Sequence, residues 1–160
     1  MSTWSDAATW ERYKSEEGCP ICNQTPNDAP GDERHIASLR VSGLGATTNT
    51  CMKGHCCLVT RPHAVELYDL SEEDAAAFML DIRQAAQALQ EVTKAVKINY
   101  EIHGNTIPHL HMHLWPRQIG DRFDGAPIDW RTKESPAYDE GEFEAFISAM
   151  KKALDQSLSC

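Results

Sequence analysis

Hydrophobic and polar residues alternate along this chain with two periods, and the two periods divide it into elements. After Pro108, three histidines (His109, His111 and His113) alternate with Leu110, Met112 and Leu114. Successive side chains of a β-strand point to opposite faces, so a strand here sets the histidines on one face and the apolar residues on the other. On a helix the same residues would scatter around the axis. Upstream, Val96, Ile98, Tyr100 and Ile102 alternate with Lys97, Asn99, Glu101 and His103, which reads as a second strand. Gly104-Asn105-Thr106 connects the two, and they are expected to pair as a hairpin. Nearer the N-terminus, residues 35–41 read as a strand and Ser42-Gly43-Leu44-Gly45 as a turn. Residues 46–50 and 56–60 read as further strands, the last stopped by Arg61-Pro62.

A period near 3.6 marks the helices. Ser71 opens a long one: Ser71 and Asp74 resemble a capping box, and Glu72, Glu73 and Asp74 sit in the favourable first turn. Ala75, Phe78, Met79, Ile82, Ala86, Leu89 and Val92 form one apolar stripe, which requires a partner surface. A last helix is expected over residues 141–154, with Phe143, Phe146, Ile147, Met150 and Leu154 on one face. Trp4, Trp10 and Tyr13 are spaced for a short amphipathic helix, and residues 121–136 are polar enough to be a loop. The order of strands, helix, strands, helix predicts an α+β fold with a mainly antiparallel sheet.

Composition narrows the function. The 160 residues suit one domain, and the formal charge of -9 disfavours polynucleotides and anionic membranes as partners, since both reward a basic surface. One small anionic substrate stays open, because a local cluster of donors can outweigh the overall field. No secretory signal opens the chain and no stretch approaches a membrane span, so a cytoplasmic location is expected. In that reducing setting the six cysteines favour metal binding over disulfides.

Two groups of residues carry chemistry. Cys19 and Cys22 form a C-x-x-C pair, half of many zinc sites. Candidates for the other half are His55, His63 and one of the alternating histidines; two structural cysteines are the alternative. Cys51, Cys56, Cys57 and Cys160 lack such spacing and read as buried or free thiols. The histidine face admits three readings. It could hold a metal, although alternate side chains lie ~6.6 to 7 Å apart at the backbone and all three converge with difficulty. It could present a nucleophile, since an imidazole with a reference pKa near ~6.5 is mostly neutral at physiological pH and can attack phosphorus. It could also be three solvated histidines. Arg117 and Arg122 read as surface arginines, with phosphate steering as the alternative.

The stretch His109-Leu110-His111-Met112-His113-Leu114-Trp115 resembles, at every position, the motif of the histidine triad family of nucleotide hydrolases and transferases, His-φ-His-φ-His-φ-φ with φ apolar. Gly104-Asn105-Thr106-Ile107-Pro108 looks like the diadenosine tetraphosphate hydrolase-like branch, and Lys53-Gly54-His55 through Arg61-Pro62-His63 looks like the family's central strand and helix approach. The resemblance covers about residues 19–117, which implies a single domain over 1–160 with N- and C-terminal extensions. It implies that His111 is the nucleophile toward the α-phosphorus of a nucleotide, forming a covalent nucleotidyl-histidine. It implies that His113 binds the transferring phosphate and that Asn105 and Thr106 contact phosphate and the bridging atom. It also implies a structural zinc held by Cys19, Cys22, His63 and His109, pinning the N-terminal segment without touching substrate. His55 then falls in a strand near the pocket, while His35 and His103 read as surface or hydrogen-bonded histidines. An apolar base pocket would draw on Ile36, Leu39 and Leu44, each of which reads first as plain core, and two copies would pair through the long helix and the 96–102 strand. Dinucleoside polyphosphates and nucleoside phosphoramidates share the reacting group, and residues 120–130 are candidates to meet the leaving group. The alternatives are a non-catalytic nucleotide-binding module with a structural zinc, and a hydrolase whose triad holds a catalytic metal.

Overall fold

In the computed structural model, which describes residues 6–23, 34–132 and 137–157, the element order follows the two periods. The strands are β1 (His35–Ser38), β2 (Ser42–Ala46), β3 (Cys56–Thr60), β4 (Lys97–Glu101) and β5 (His111–Arg117). The helices are α1 (Ala7–Tyr13), α2 (Pro20–Asn23), α3 (Glu72–Thr93) and α4 (Glu142–Ser157), with one 3-10 turn at Leu67–Asp69. The strands make one antiparallel sheet in the order β1-β2-β3-β5-β4, giving the α+β architecture expected. The β4–β5 hairpin forms with Glu101 opposite His113 and Tyr100 opposite Leu114. No helix among the described residues is long and apolar enough to cross a membrane. The expectations for Trp4, Cys160 and residues 24–33 and 133–136 lie outside the described residues.

Strand alternation divides the sheet into two faces. Leu44, Leu58, Met112, Leu114 and Ile98 join Phe78, Ile82, Leu89, Ile147 and Met150 in one core. Helix α3 covers β2, β4 and β5, and α4 packs against α3 and β1. Cys57 lies opposite His113, and Val59 opposite His111, on the strands that carry the other face. Helix α3 starts where its cap directs: the Ser71 hydroxyl oxygen accepts from Asp74 N at 3.0 Å and its O–H donates to Asp74 Oδ2 at 2.9 Å. Phe78, Ile82, Ala86 and Leu89 of its stripe are buried, Ala75 and Val92 are half-buried, and Met79 is exposed.

Two assignments in the first sheet region need correction. Residues 42–45 are strand rather than turn, and residues 46–50 form no strand beyond Ala46. Two glycines in four residues mimic a turn in sequence, but here Gly45 serves a close approach: a Cβ on it would sit 3.2 Å from the Arg34 carbonyl oxygen. That carbonyl accepts from Ala46 N beside the register shift of β1. Strand β1 accordingly ends at Ser38, and residues 39–41 make the real turn.

That turn is held by a buried carboxylate. Asp81 of α3 accepts from Arg40 N at 3.1 Å, Val41 N at 3.0 Å, Ser42 Oγ at 2.8 Å and the Arg40 guanidinium at 3.2 Å. All these donors sit at the β1–β2 connection, so one side chain fastens the sheet edge to the central helix. Asp81→Ala leaves two backbone donors and a hydroxyl without their acceptor. It is expected to destabilise the protein by about 3 kcal/mol, roughly a 10 °C fall in melting temperature. Thermal unfolding by circular dichroism checks this, and a melting point within ~2 °C of the parent contradicts it.

Candidate active site and metal centre

The site-bearing face starts from the metal cluster. Helix α2 is a single turn that follows Cys19 and contains Cys22, which brings both thiols to one side. Cys19 Sγ lies 3.4 Å from His109 Nδ1; Cys22 Sγ lies 3.3 Å from His63 Nδ1 and 3.5 Å from His109 Nδ1. One ligand atom from each of the four residues falls within 4.8 Å of the others. A tetrahedral ion with ~2.3 Å sulfur and ~2.0 Å nitrogen bonds requires sulfur–nitrogen edges of about 3.5 Å, so the cluster has the dimensions of such a site. The far nitrogens agree. His109 Nε2 donates to the Thr60 carbonyl at 2.8 Å and His63 Nε2 to the Lys14 carbonyl at 2.9 Å. Carbonyls only accept, so both rings keep their Nδ1 lone pairs for the cluster. Burial, then Cys19 beside it, pushes the Cys22 thiol up to about 12, a cost that a bound dication offsets. His63 and not His55 completes the set.

His109 departs from the regular alternation. Strand β5 begins at His111, so His109 sits in the bend before it and its ring turns into the cluster instead of sharing the face of His111 and His113. Pro108 precedes it, and Leu110 N donates to the Ala64 carbonyl at 2.7 Å, which holds the bend. What His109 offers the rest of the triad is its backbone: its carbonyl accepts from His111 Nδ1 at 2.7 Å. His111 therefore carries its proton on Nδ1 and keeps a lone pair on Nε2.

His111 and His113 line a cleft of about 410 Å3, together with residues 103–107, 49–51, His55, Cys57, Val59, Ile21, Trp115 and Trp130. Burial lowers the His111 pKa below the ordinary imidazole value, with His103 nearby acting in the same direction. Burial also lowers that of His113, followed by its neighbours His55, His111 and His103. His113 Nδ1 and His55 Nε2 share a hydrogen bond of 2.9 Å, and His55 stacks on Trp115 with ring centroids 3.7 Å apart. A half-buried imidazole held toward its neutral form, with an available lone pair and beside a second such imidazole, can attack an electrophile or exchange a proton.

Asn105 and Thr106 lie in the β4–β5 connection, exposed at the cleft. Ile36 and Leu44 are buried in the main core and Leu39 packs against it, so none of the three lines the cleft. Face parity explains this: Leu44 pairs with Leu58, which shares the helix-covered side. The apolar wall comes instead from Ile21, Val59, Ile107 and Trp130. Ile21 is one of the two residues between the cysteines, so the turn that bears them does reach the cleft. Arg117 is not a solvated arginine: it is buried and pairs through two nitrogens with Asp121 at 2.6 and 2.9 Å. His103 is hydrogen bonded, as expected, to Glu101 at 3.0 Å, but it also lines the cleft. Cys51 and Cys56 are buried free thiols, and Cys57, opposite His113, is a half-buried one facing the cleft.

The family profile described as HIT domain matches residues 46–120. A crystal structure of a histidine triad protein from Bradyrhizobium japonicum aligns with a TM-score of 0.66 at 34% identity, covering 76% of this chain and 92% of that one. The adenosine 5'-monophosphoramidase of Schizosaccharomyces pombe is 23% identical over 100 residues, 62% of this chain and 74% of that protein. The asymmetrical bis(5'-nucleosyl)-tetraphosphatase of the same organism is 24% identical over 87 residues, 51% of this chain and 48% of that protein.

The cluster geometry predicts one divalent ion per chain. Titration of the metal-free protein with Co2+ is expected to saturate at one equivalent with the absorption of tetrahedral thiolate–cobalt. Cys22→Ser should weaken binding at least tenfold, since removing even an outer partner of such a site costs that much. Equal binding by the two proteins would refute the assignment of the site.

Proposed function

The chain belongs to the histidine triad family, and from that membership and the cleft geometry we propose that it is a nucleotide hydrolase or transferase acting through a covalent nucleotidyl-histidine at His111. The observation that carries the reading is the His111 Nδ1 bond to the His109 carbonyl, which commits one ring nitrogen and leaves Nε2 basic in the cleft. Nε2 attacks the α-phosphorus as the bond from phosphorus to the leaving group breaks and the leaving group takes the electron pair. Water, or another acceptor, then cleaves the phosphorus–nitrogen bond. With His55 donating to His113 Nδ1, His113 presents an Nε2 proton to a phosphate oxygen as negative charge builds there. Asn105 and Thr106 supply donors at the bridging atom. Ile21, Val59 and Ile107 offer the transferred base an apolar wall in place of the residues first expected there. The adenosine monophosphoramidase and bis-nucleosyl tetraphosphatase names of two relatives support both candidate leaving groups, an amine and a nucleotide.

His111→Ala should lower kcat by at least ~1,000-fold toward a dinucleoside polyphosphate or a nucleoside phosphoramidate, while nucleotide binding and metal content persist. Mass spectrometry of acid-stable adducts is not expected to succeed, because phosphoramidates are acid-labile; rapid alkaline quenching should reveal the mass of a nucleotidyl group on the peptide holding His111. A wild-type protein that binds nucleotide and yields neither product nor adduct is a binding module instead.

The two thiols and two imidazoles of the cluster match zinc in ligand type and closed tetrahedral form, and four protein ligands around one ion would leave no open position, which supports a structural role for it. Zinc there would tie α2, and Ile21 with it, to the strand that bears His111. The described cysteines are all free thiols, which supports a reducing, cytoplasmic setting.

Homodimerisation through α3 and β4 has its own support. Strand β4 is a sheet edge, with Val96, Tyr100 and Met79 exposed around it, and a hollow of about 730 Å3 runs between it and α3. Sedimentation is expected to show twice the chain mass and Tyr100→Asp to shift it to one; a monomeric parent would remove this part of the proposal.

A further inference from the structure

One imidazole on the wall of the cleft, that of His103, belongs neither to the triad nor to the metal cluster. Strand β4 ends at Glu101, which lies opposite His113, so the alternation of the pleat turns its carboxylate to the site-bearing face. Two residues on, just before Gly104 turns the chain at φ +72°, His103 sets Nε2 3.0 Å from Glu101 Oε2. A carboxylate only accepts, so Nε2 carries a proton in that bond and Nδ1 is the nitrogen left over. The His103 ring centroid lies 5.6 Å from that of His113, which in turn lies 4.9 Å from that of His111. The His103 side chain is 41% exposed and that of Glu101 20%, so the ring meets water while the carboxylate that holds it is more sheltered.

Transfer through His111 needs a proton at two moments. The departing atom requires a donor when it is basic, and the water that later releases the nucleotidyl group requires an acceptor. Six titratable side chains line the cleft among the described residues: Cys51, His55, Cys57, His103, His111 and His113. Cys51 is buried, and burial pushes the Cys57 thiol up to about 12. His111 has Nδ1 on the His109 carbonyl and Nε2 for phosphorus. His55 and His113 share a hydrogen bond, and the other nitrogen of His113 serves a phosphate oxygen. His103 remains, with one ring nitrogen held by a carboxylate and the other uncommitted to the triad, the arrangement in which a third group orients a catalytic base. With both its nitrogens protonated, the ring and Glu101 together carry no net charge, so the pair brings a proton to the cleft without a fixed cation.

We propose that His103 is a further catalytic residue, the acid and base of the transfer, and that Glu101 is its positioning residue. This rests on the reading of His111 as nucleophile. In the first step His111 Nε2 bonds phosphorus, the leaving atom departs with its electron pair, and His103 Nδ1 gives that atom a proton. In the second, a water oxygen bonds phosphorus, its proton passes to His103 Nδ1, and the phosphorus–nitrogen bond breaks with its pair returning to His111. Two adenylate donors separate this role from a structural one. Adenosine phosphoramidate expels an amine, which needs a proton; the para-nitrophenyl ester of adenosine monophosphate expels a phenolate, which does not. In His103→Ala, kcat for the phosphoramidate is expected to fall at least ~100-fold, and the first turnover of the ester about tenfold less than that. The ester should then show a burst of about one nitrophenolate per chain before a slow steady rate, because the water step has lost its base. Glu101→Gln should give the same pattern at smaller amplitude. Equal losses on the two substrates, no loss, or a steady rate without a burst overturns the role of His103, and a Glu101→Gln protein that matches the parent overturns that of Glu101. A parent that turns over neither compound refutes the nucleophile itself, and this proposal with it; a parent that is active, with variants losing both substrates alike, refutes this proposal alone.

Discussion

The organisation of this protein depends on one residue used three ways. His109 places Nδ1 among Cys19, Cys22 and His63, donates through Nε2 to the Thr60 carbonyl, and receives His111 Nδ1 on its own carbonyl. Each contact restricts a different freedom. The cluster fixes the ring, the Thr60 bond ties the bend before β5 to the end of β3, and the carbonyl sets the tautomer and direction of the next imidazole. A backbone carbonyl anchored on both sides orients an imidazole better than a mobile side chain could, because its position is settled before anything binds. The cysteine–histidine cluster thus supports the His111 ring without sharing it, so three histidines at regular spacing need not converge on one point.

The same economy shows in the electrostatics. A chain of net charge -9 is a poor general host for phosphate, and among the described residues that line the cleft there is no lysine or arginine to reverse that field. It offers neutral donors instead. Burial holds His111 and His113 uncharged, and the imidazole pair at His55 and His113 can pass a single N–H toward the cleft. In the mechanism proposed for His111, a neutral nucleophile beside neutral donors would discriminate between states: donors strengthen as charge grows on the phosphoryl oxygens, whereas fixed cations would hold substrate and product almost as firmly as the transition state. Arg117, the nearest arginine in sequence, is spent on Asp121 and the loop that carries Trp130.

Much of this was legible in the residues, and the exceptions share a cause. Strands β3 and β5 and helix α3 declare themselves because their periods are carried by side chains large enough to read. Strand β2 does not: Gly43 and Gly45 supply no pattern, and the reason for Gly45, a carbonyl 3.2 Å from where its Cβ would be, exists only after β1 has folded back. Ile36 and Leu44 read as either core or pocket for a related reason, and the structure makes them core. Alternation says which residues share a face, while the register of Leu44 against Leu58 says which face the helices cover. His109 breaks the pattern because strand geometry starts only at His111.

The loop beyond β5 makes the point in its strongest form. Nothing in the local sequence of Trp130 distinguishes it from any exposed tryptophan in a polar stretch. Its placement is decided by Arg117 and Asp121 four residues apart, by the Ala126 carbonyl, and by Ile128 finding a seat on Trp115 and Cys51, which are far apart in sequence. Ile21 reaches the cleft in the same way, between two cysteines whose spacing announces a metal and conceals the wall that they build. Both residues thus line the cleft through elements whose sequence signatures point elsewhere, one to an ion pair and one to an ion. The chemistry of a triad can be read from a heptapeptide, but what the triad acts upon is set by residues that acquire their meaning only through contacts distant in sequence.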